Sequence, residues 1–298
     1  MLPNDMPAYT LNLDGHLMDL STPRIMAIIN ATPDSFYTSC TTVEAAVDTA
    51  QRAVAEGADI IDLGGCSTRP GAVPVSAAEE TDRLSRAADA IRNVLPDVPL
   101  SIDTYRADVA RHMVKHYGAC IINDISGGQL DDRMFDTVAD TGVAYVLTHM
   151  RGTPKTMNSL TDYDDLMADV IDFMQQRIFV LKQRGVKDII IDPGFGFAKT
   201  LEQNYTLLAH LDYLHVLDMP ILAGLSHKSM LYRPLNIRAD DAEPATTAAN
   251  TLALAKGASL LRVHNVAAAR QAIGIACLTR RADTNTGNAS YTTPPTDA

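Results

Sequence analysis

The sequence predicts a single (β/α)8 barrel of the α/β class, preceded by a short hairpin. Three observations carry that expectation. Apolar strand candidates alternate with helix candidates eight times along 298 residues, a length that suits one barrel. The strand candidates read as continuous apolar runs, the pattern of parallel strands covered on both faces. Each run then stops on a hydrogen-bonding or charged residue, and parallel α/β proteins bind ligands at the carboxyl ends of their strands.

The stretch that shows all three features is Ile189-Ile190-Ile191-Asp192-Pro193-Gly194-Phe195-Gly196-Phe197-Ala198-Lys199. Branched apolar residues run into an acid, and a Gly-rich loop follows. Asp192 is either a ligand contact or a buried carboxylate tied to its own turn.

Residues 11–20 alternate around Asp14-Gly15 and read as a hairpin that plugs the bottom of the barrel. The eight expected strands are 25–29, 59–63, 98–102, 119–122, 143–147, 189–191, 220–225 and 259–263. The expected helices are 43–56, 77–93, 106–117, 131–140, 163–184, 201–214, 242–256 and 266–278. Gly57, Gly118, Gly142, Gly185 and Gly257 stop helices or stand just past them, and Ser76 with Glu79 three residues on marks a helix start. The domain expectation is an N-terminal extension over 1–8, the barrel over 9–280 and a disordered tail over 281–298 that is rich in Thr, Asn and Pro.

A net charge of -11 argues against nucleic acid or an anionic membrane surface as the main partner. No apolar run reaches the roughly 18 residues of a membrane span. The four cysteines, Cys40, Cys66, Cys120 and Cys277, form no CxxC pair, so neither zinc nor a disulfide framework is expected. The first residues are polar and lack the core of a signal peptide. A cytoplasmic location fits these features.

The residues ending the strands sort by chemistry. Asp103, Asn123 and Asp192 offer acceptors and an amide to a flat, nitrogen-rich heterocycle, whose ring N–H groups a carboxylate accepts as a pair. Thr68, Arg69, Lys228, Arg262 and His264 are donors or cations suited to a phosphate. Asn30 offers a neutral oxygen for magnesium beside phosphate oxygens. Blander roles compete: Asp103 as an N-cap, Asp124 as an organiser of its turn, His149 as a core histidine.

With these residues laid out, the sequence resembles the dihydropteroate synthase family of pterin-binding barrels. The resemblance rests on Asn30-Ala31-Thr32-Pro33-Asp34-Ser35-Phe36, Ser67-Thr68-Arg69-Pro70-Gly71, Ser101-Ile102-Asp103-Thr104, Ile122-Asn123-Asp124-Ile125, Asp192-Pro193-Gly194-Phe195-Gly196-Phe197, Lys228-Ser229-Met230 and Arg262-Val263-His264, in that order. It implies a homodimeric cytosolic transferase of folate synthesis and a target of sulfonamides. Such an enzyme joins a dihydropterin methyl diphosphate to 4-aminobenzoate and releases diphosphate, in an SN1-like displacement assisted by Mg2+. By the same resemblance Asp103, Asn123, Asp192 and Lys228 hold the pterin. Thr68, Arg69, Arg262 and His264 hold the diphosphate. Pro70, Phe197, Ser226 and Lys228 line the aminobenzoate pocket, and Asn30 contacts the metal. Asp103, Asp192, Lys228 and Arg262 form the catalytic set.

The chain departs from the family pattern at Tyr37-Thr38-Ser39-Cys40, where many members carry Ser-Asp-Gly-Gly, and at Cys66, His227 and Asn265. These departures support an alternative: a pterin-binding paralogue with impaired catalysis.

Overall fold

The computed structural model describes residues 9–31, 43–66 and 75–286. Strands β1 (Thr10–Leu13) and β2 (His16–Asp19) form an antiparallel hairpin. Asp14 and Gly15 both have positive φ, 52° and 85°, the geometry of a tight two-residue turn that favours Asp-Gly. The rest alternates as expected: β3 (Arg24–Asn30), α1 (Val43–Ala55), β4 (Ile60–Gly64), α2 (Ala77–Val94), β5 (Leu100–Asp103), α3 (Ala107–Tyr117), β6 (Ile121–Asp124), α4 (Met134–Thr141), β7 (Ala144–Thr148), α5 (Leu166–Gln183), β8 (Ile189–Asp192), α6 (Leu201–Ala209), β9 (Leu222–Ala223), α7 (Ser229–Tyr232), α8 (Glu243–Ala255), β10 (Leu260–Val263) and α9 (Val266–Thr286).

The eight long-sheet strands run in the order β8-β7-β6-β5-β4-β3-β10-β9, all pairs parallel. A bridge between Ile191 and Ile221 joins the two edges and closes the barrel. The strand expected over 220–225 shortens to Leu222–Ala223: Pro220 cannot donate to a ladder, and Ile221 adds a single bridge.

Alternation sorts each strand into two faces. Ile25, Ala27, Ile29, Ile61, Leu63, Ile102, Ile122, Tyr145, Leu147, Ile191 and Val263 point outward and pack with the helices. Met26, Ile60, Ile121, Ala144, Val146, Ile190, Leu222 and Leu260 point inward and meet Leu11, Leu13 and Leu20 of the hairpin. The hairpin therefore plugs the N-terminal end of the barrel. The Asn12 amide donates to Asp188 Oδ1 at 2.9 Å and fixes it there. Burying each hairpin leucine stabilises the fold by about 1.5–3 kcal/mol.

Helix ends follow local chemistry. Gly118 and Gly142 close α3 and α4 with φ of 61° and 70°. Ser76 Oγ accepts from the Glu79 amide, and Thr200 forms a reciprocal capping box with Gln203 at α6. Thr200→Ala is expected to lower unfolding free energy by about 1 kcal/mol in urea denaturation.

The last helix changes its expected boundary. The helix expected to end at 278 continues to Thr286, so the segment called a disordered tail begins as helix; residues 287–298 lie outside the described set. Along α8 the helix phase separates two leucines: Leu252 is 57% exposed, whereas Leu254 is fully buried. Two residues along a helix turn the side chain to the opposite side. No helix among the described residues is long and apolar enough to cross a membrane.

Candidate active site

Above the apolar floor the inward positions become polar. Asp62, Ser101, Asp103, Asn123, Asp192 and Arg262 follow Ile60, Ile121, Ile190 and Leu260 up the same faces, as strand alternation requires. Register puts Asp62 beside Ser101, and Asp103 beside both Gly64 and Asn123. A side chain at Gly64 would lie 3.3 Å from Asn30 Oδ1 and 3.7 Å from Asp103 Cβ. The glycine keeps the space between those two groups open.

Asp62 is the centre of this network. It is completely buried. Its Oδ1 accepts from Ser101 Oγ at 2.6 Å. Its Oδ2 accepts from Asn123 Nδ2 at 3.1 Å and from Arg262 Nε at 2.6 Å. The far end of the same guanidinium, Nη2, donates to Asp103 Oδ2 at 2.6 Å. Burial alone would lower the Arg262 pKa, but the Asp62 and Asp103 carboxylates raise it above the usual range. Burial pushes Asp103 up; Arg262 opposes this, while Asp62, Glu80 and Asp124 add to it. Asp103 does not cap a helix: the residue before α3 is Arg106, whose side chain makes no cap bond. Asp124, in contrast, does order its turn, accepting from Ser126, Gly128 and Tyr145.

Across the mouth, Asp192 orders its own turn with one oxygen and turns the other toward the mouth. Oδ1 accepts from the Gly194 amide at 2.8 Å and fixes the turn. Oδ2 lies 3.6 Å from where a side chain at Gly224 would begin, and Lys228 Nζ lies 4.0 Å from the same point. Acid and amine thus converge over Gly224, which places no side chain between them. Burial raises the Asp192 pKa, against Lys228, the Gly194 amide and Arg262. It pulls Lys228 down to about 8, with Asp192 opposing and Arg262 adding to the fall.

The Gly-rich loop comes very close to its neighbours. Gly194 has φ of 73°, and a side chain there would meet the His149 carbonyl at 2.0 Å, so only glycine fits. Lys228 donates to the Phe195 carbonyl, and its Nζ stands 4.8 Å from the Phe197 ring centre. Lys199 lies beneath the loop. Burial draws its ammonium down to about 7, Asp192 opposing. His149 is buried and kept neutral, its pKa near 2 because of burial and then Lys199.

Ser226 Oγ bonds His264 Nδ1 at 2.9 Å, so these two predicted contacts touch each other. His227 meets the Ala239 carbonyl and Glu243 Oε2, each at 2.9 Å. Burial would lower its pKa, but the bonds to Glu243 and Ala239 outweigh this and raise it above 6.5. Stabilisation from this pair is present below the unfolded value and lost as pH climbs through the raised one. Glu243→Gln should therefore lower the melting temperature more at pH 6 than at pH 9; an equal drop at both would reject the charged pair.

The structure thus brings Asp103, Asn123, Asp192, Lys228 and Arg262 to one mouth. Asn30 borders Asp103, Phe197 borders Lys228, and Ser226 meets His264. Thr68, Arg69, Pro70 and most of the first loop lie outside the described residues. Sequence reasoning missed Asp62 because it counted only strand ends. The signal was there: a lone acid within Ile60-Ile61-Asp62-Leu63, two residues after an inward isoleucine.

Comparison with known proteins agrees with this geometry. The family described as "Pterin binding enzyme" matches residues 26–264. A dihydropteroate synthase of Synechocystis is 42% identical over 261 residues, covering 85% of this chain and 88% of that protein. Its counterpart in Escherichia coli K12 is 40% identical over 256 residues, covering 85% and 90%. The crystal structure of Yersinia pestis dihydropteroate synthase with a sulfonamide drug complex superposes with a TM-score of 0.86 at 40% identity, covering 92% of this chain and all of that one. The Xanthomonas albilineans enzyme with 4-aminobenzoic acid gives 0.84 at 39% identity, covering 92% and 99%. The barrel, its polar mouth and these relatives together mean that the chain belongs to the pterin binding enzyme family, the family of the dihydropteroate synthases.

Proposed function

We propose that this transferase is a dihydropteroate synthase, joining (7,8-dihydropterin-6-yl)methyl diphosphate to 4-aminobenzoate and releasing diphosphate. The observation that carries this reading is the pairing at the mouth. On one side Arg262 spans Asp62 and Asp103; on the other, Asp192 Oδ2 faces the barrel axis without a hydrogen-bond donor among the described residues.

The pterin edge carries N–H groups that suit Asp192 on β8, with Lys228 beside it and Asn123 and Asp103 further round the barrel on β6 and β5. When the methylene–oxygen bond breaks, its electron pair leaves with diphosphate and positive charge spreads over the methylene and ring. The two carboxylates stabilise that charge. Arg262 and His264, with Thr68 and Arg69 outside the described residues, hold the departing anion. The aniline nitrogen then bonds to the methylene and gives up one proton to solvent. An aniline is already neutral near pH 7, so positioning counts for more than a general base. Phe197, Ser226, Lys228 and Pro70 form the aminobenzoate side.

Asn30 suits magnesium, which takes one or two protein oxygens together with substrate phosphates. Bound there, the ion would neutralise charge on the leaving group. The protein would act in the cytoplasm as a homodimer, with exposed Leu252, Ile275 and Leu278 of α8 and α9 offering an apolar face. Sedimentation velocity tests that assembly, and a monomer at working concentration rejects it.

The deciding experiment incubates purified protein with both substrates and magnesium and measures dihydropteroate and diphosphate. Stoichiometric formation of both is expected. Pterin binding without diphosphate release would establish the impaired paralogue, for which the altered first loop is the motive.

A further inference from the structure

Lys199 is 9% exposed and has no carboxylate within ion-pair distance among the described residues. Burying a cation in this way is costly, and a methionine would fill the same space without the cost. Its three N–H groups nevertheless find three neutral acceptors: His149 Nδ1 at 3.0 Å, the Gly194 carbonyl at 3.0 Å and the Phe197 carbonyl at 3.1 Å. An ammonium has three donors and no acceptor, so the site matches it completely.

The three acceptors lie on two separate pieces of chain. His149 follows β7; its amide donates to the Asp192 carbonyl at 2.9 Å, and its ring stands edge-on to Phe173 at 4.7 Å. Gly194 and Phe197 bracket the Gly-rich turn, whose own bond runs from the Phe197 amide to the Gly194 carbonyl at 3.1 Å. Lys228 holds the Phe195 carbonyl, and Tyr163 donates to that of Ala198 at 2.9 Å. Side-chain donors thus grip successive carbonyls of this loop, and Lys199 alone takes two of them. With the loop so fixed, the Phe197 ring stands against Lys228.

We propose that Lys199 is a positioning residue for the aminobenzoate subsite: anchored on His149, it holds the Gly194 and Phe197 carbonyls and so sets the Phe197 ring against Lys228. This inference rests on the function proposed above. Asp192 keeps its place by strand pairing to Thr148 and by its own turn bond, so the pterin side does not depend on Lys199 in the same degree.

The test compares wild type with Lys199→Met, which keeps length and loses every donor, and Lys199→Gln, which keeps a shorter polar donor. Steady-state kinetics are run for each substrate, with thermal melting followed by circular dichroism. For Lys199→Met the KM for 4-aminobenzoate should rise by roughly tenfold or more, while that for the pterin diphosphate stays within about twofold. Lys199→Gln should recover part of the loss and serves alone if the methionine variant does not fold. Equal rises in both KM values, or a lowered melting temperature with both KM values unchanged, would overturn the positioning role. A wild-type protein that makes no dihydropteroate would instead overturn the function on which it rests.

Discussion

Asp62→Ala is expected to cost about 3–5 kcal/mol of unfolding free energy and to remove turnover. That is the cost of taking one member from a buried ion pair and leaving the other uncompensated. Asp62 is wholly buried and satisfies Ser101, Asn123 and Arg262 at once. In the alanine variant Arg262 keeps only Asp103, and the hydroxyl and amide lose their acceptor. The Asn123 amide, proposed for the pterin, and the Arg262 guanidinium, proposed for the diphosphate, would then be free to rotate out of place. Asp62→Asn retains an acceptor and the side-chain volume, so it should destabilise less while still loosening Arg262. Urea unfolding of the three proteins checks the energies. A loss within about 1 kcal/mol for the alanine variant, the ordinary range for a single substitution, would show that Asp62 is not the centre of the network.

Asp192→Asn is expected to have the opposite signature: little or no loss of stability, and a large loss of pterin affinity. The asparagine Oδ1 can still accept from the Gly194 amide, so the turn survives. Burial already disfavours the charge at this position, so neutralising it relieves a desolvation cost. What disappears is the carboxylate oxygen facing the mouth. A hydrogen bond to a charged group contributes on the order of 1.5–3 kcal/mol, which corresponds to roughly a tenfold to hundredfold change in binding per bond. Titration calorimetry with a pterin reads the effect directly. Unchanged affinity would remove Asp192 from the heterocycle side.

Much of this site can be read along the chain, because a parallel strand ends where its apolar run ends. Asp103, Asn123, Asp192 and the Arg262–His264 pair were each visible in that way, and the hairpin was visible in Asp14-Gly15. What stayed hidden depends on direction rather than order. Asp62 lies within a strand, and only the count of inward and outward positions shows it pointing to Ser101 and Arg262. Lys199 ends the most conspicuous motif in the chain, yet nothing in its spacing shows that it bends back beneath the loop. Leu254 has the same character as Leu252 in sequence, and the phase of α8 separates them. Hydrophobicity patterns show which segments are buried; they are weaker on which neighbour each side chain meets.

The hairpin gives the molecule a division of labour between its two ends. Leu11, Leu13 and Leu20 seal the well that Met26, Ile60 and Ile190 line, so apolar side chains close that end of the barrel. A chain deprived of that stopper would open a greasy funnel beneath the charged residues, and hydration from below would weaken every ionic contact above it. Tyr9 packs beside the stopper, at the end of the barrel opposite Asp103, Asp192 and Arg262.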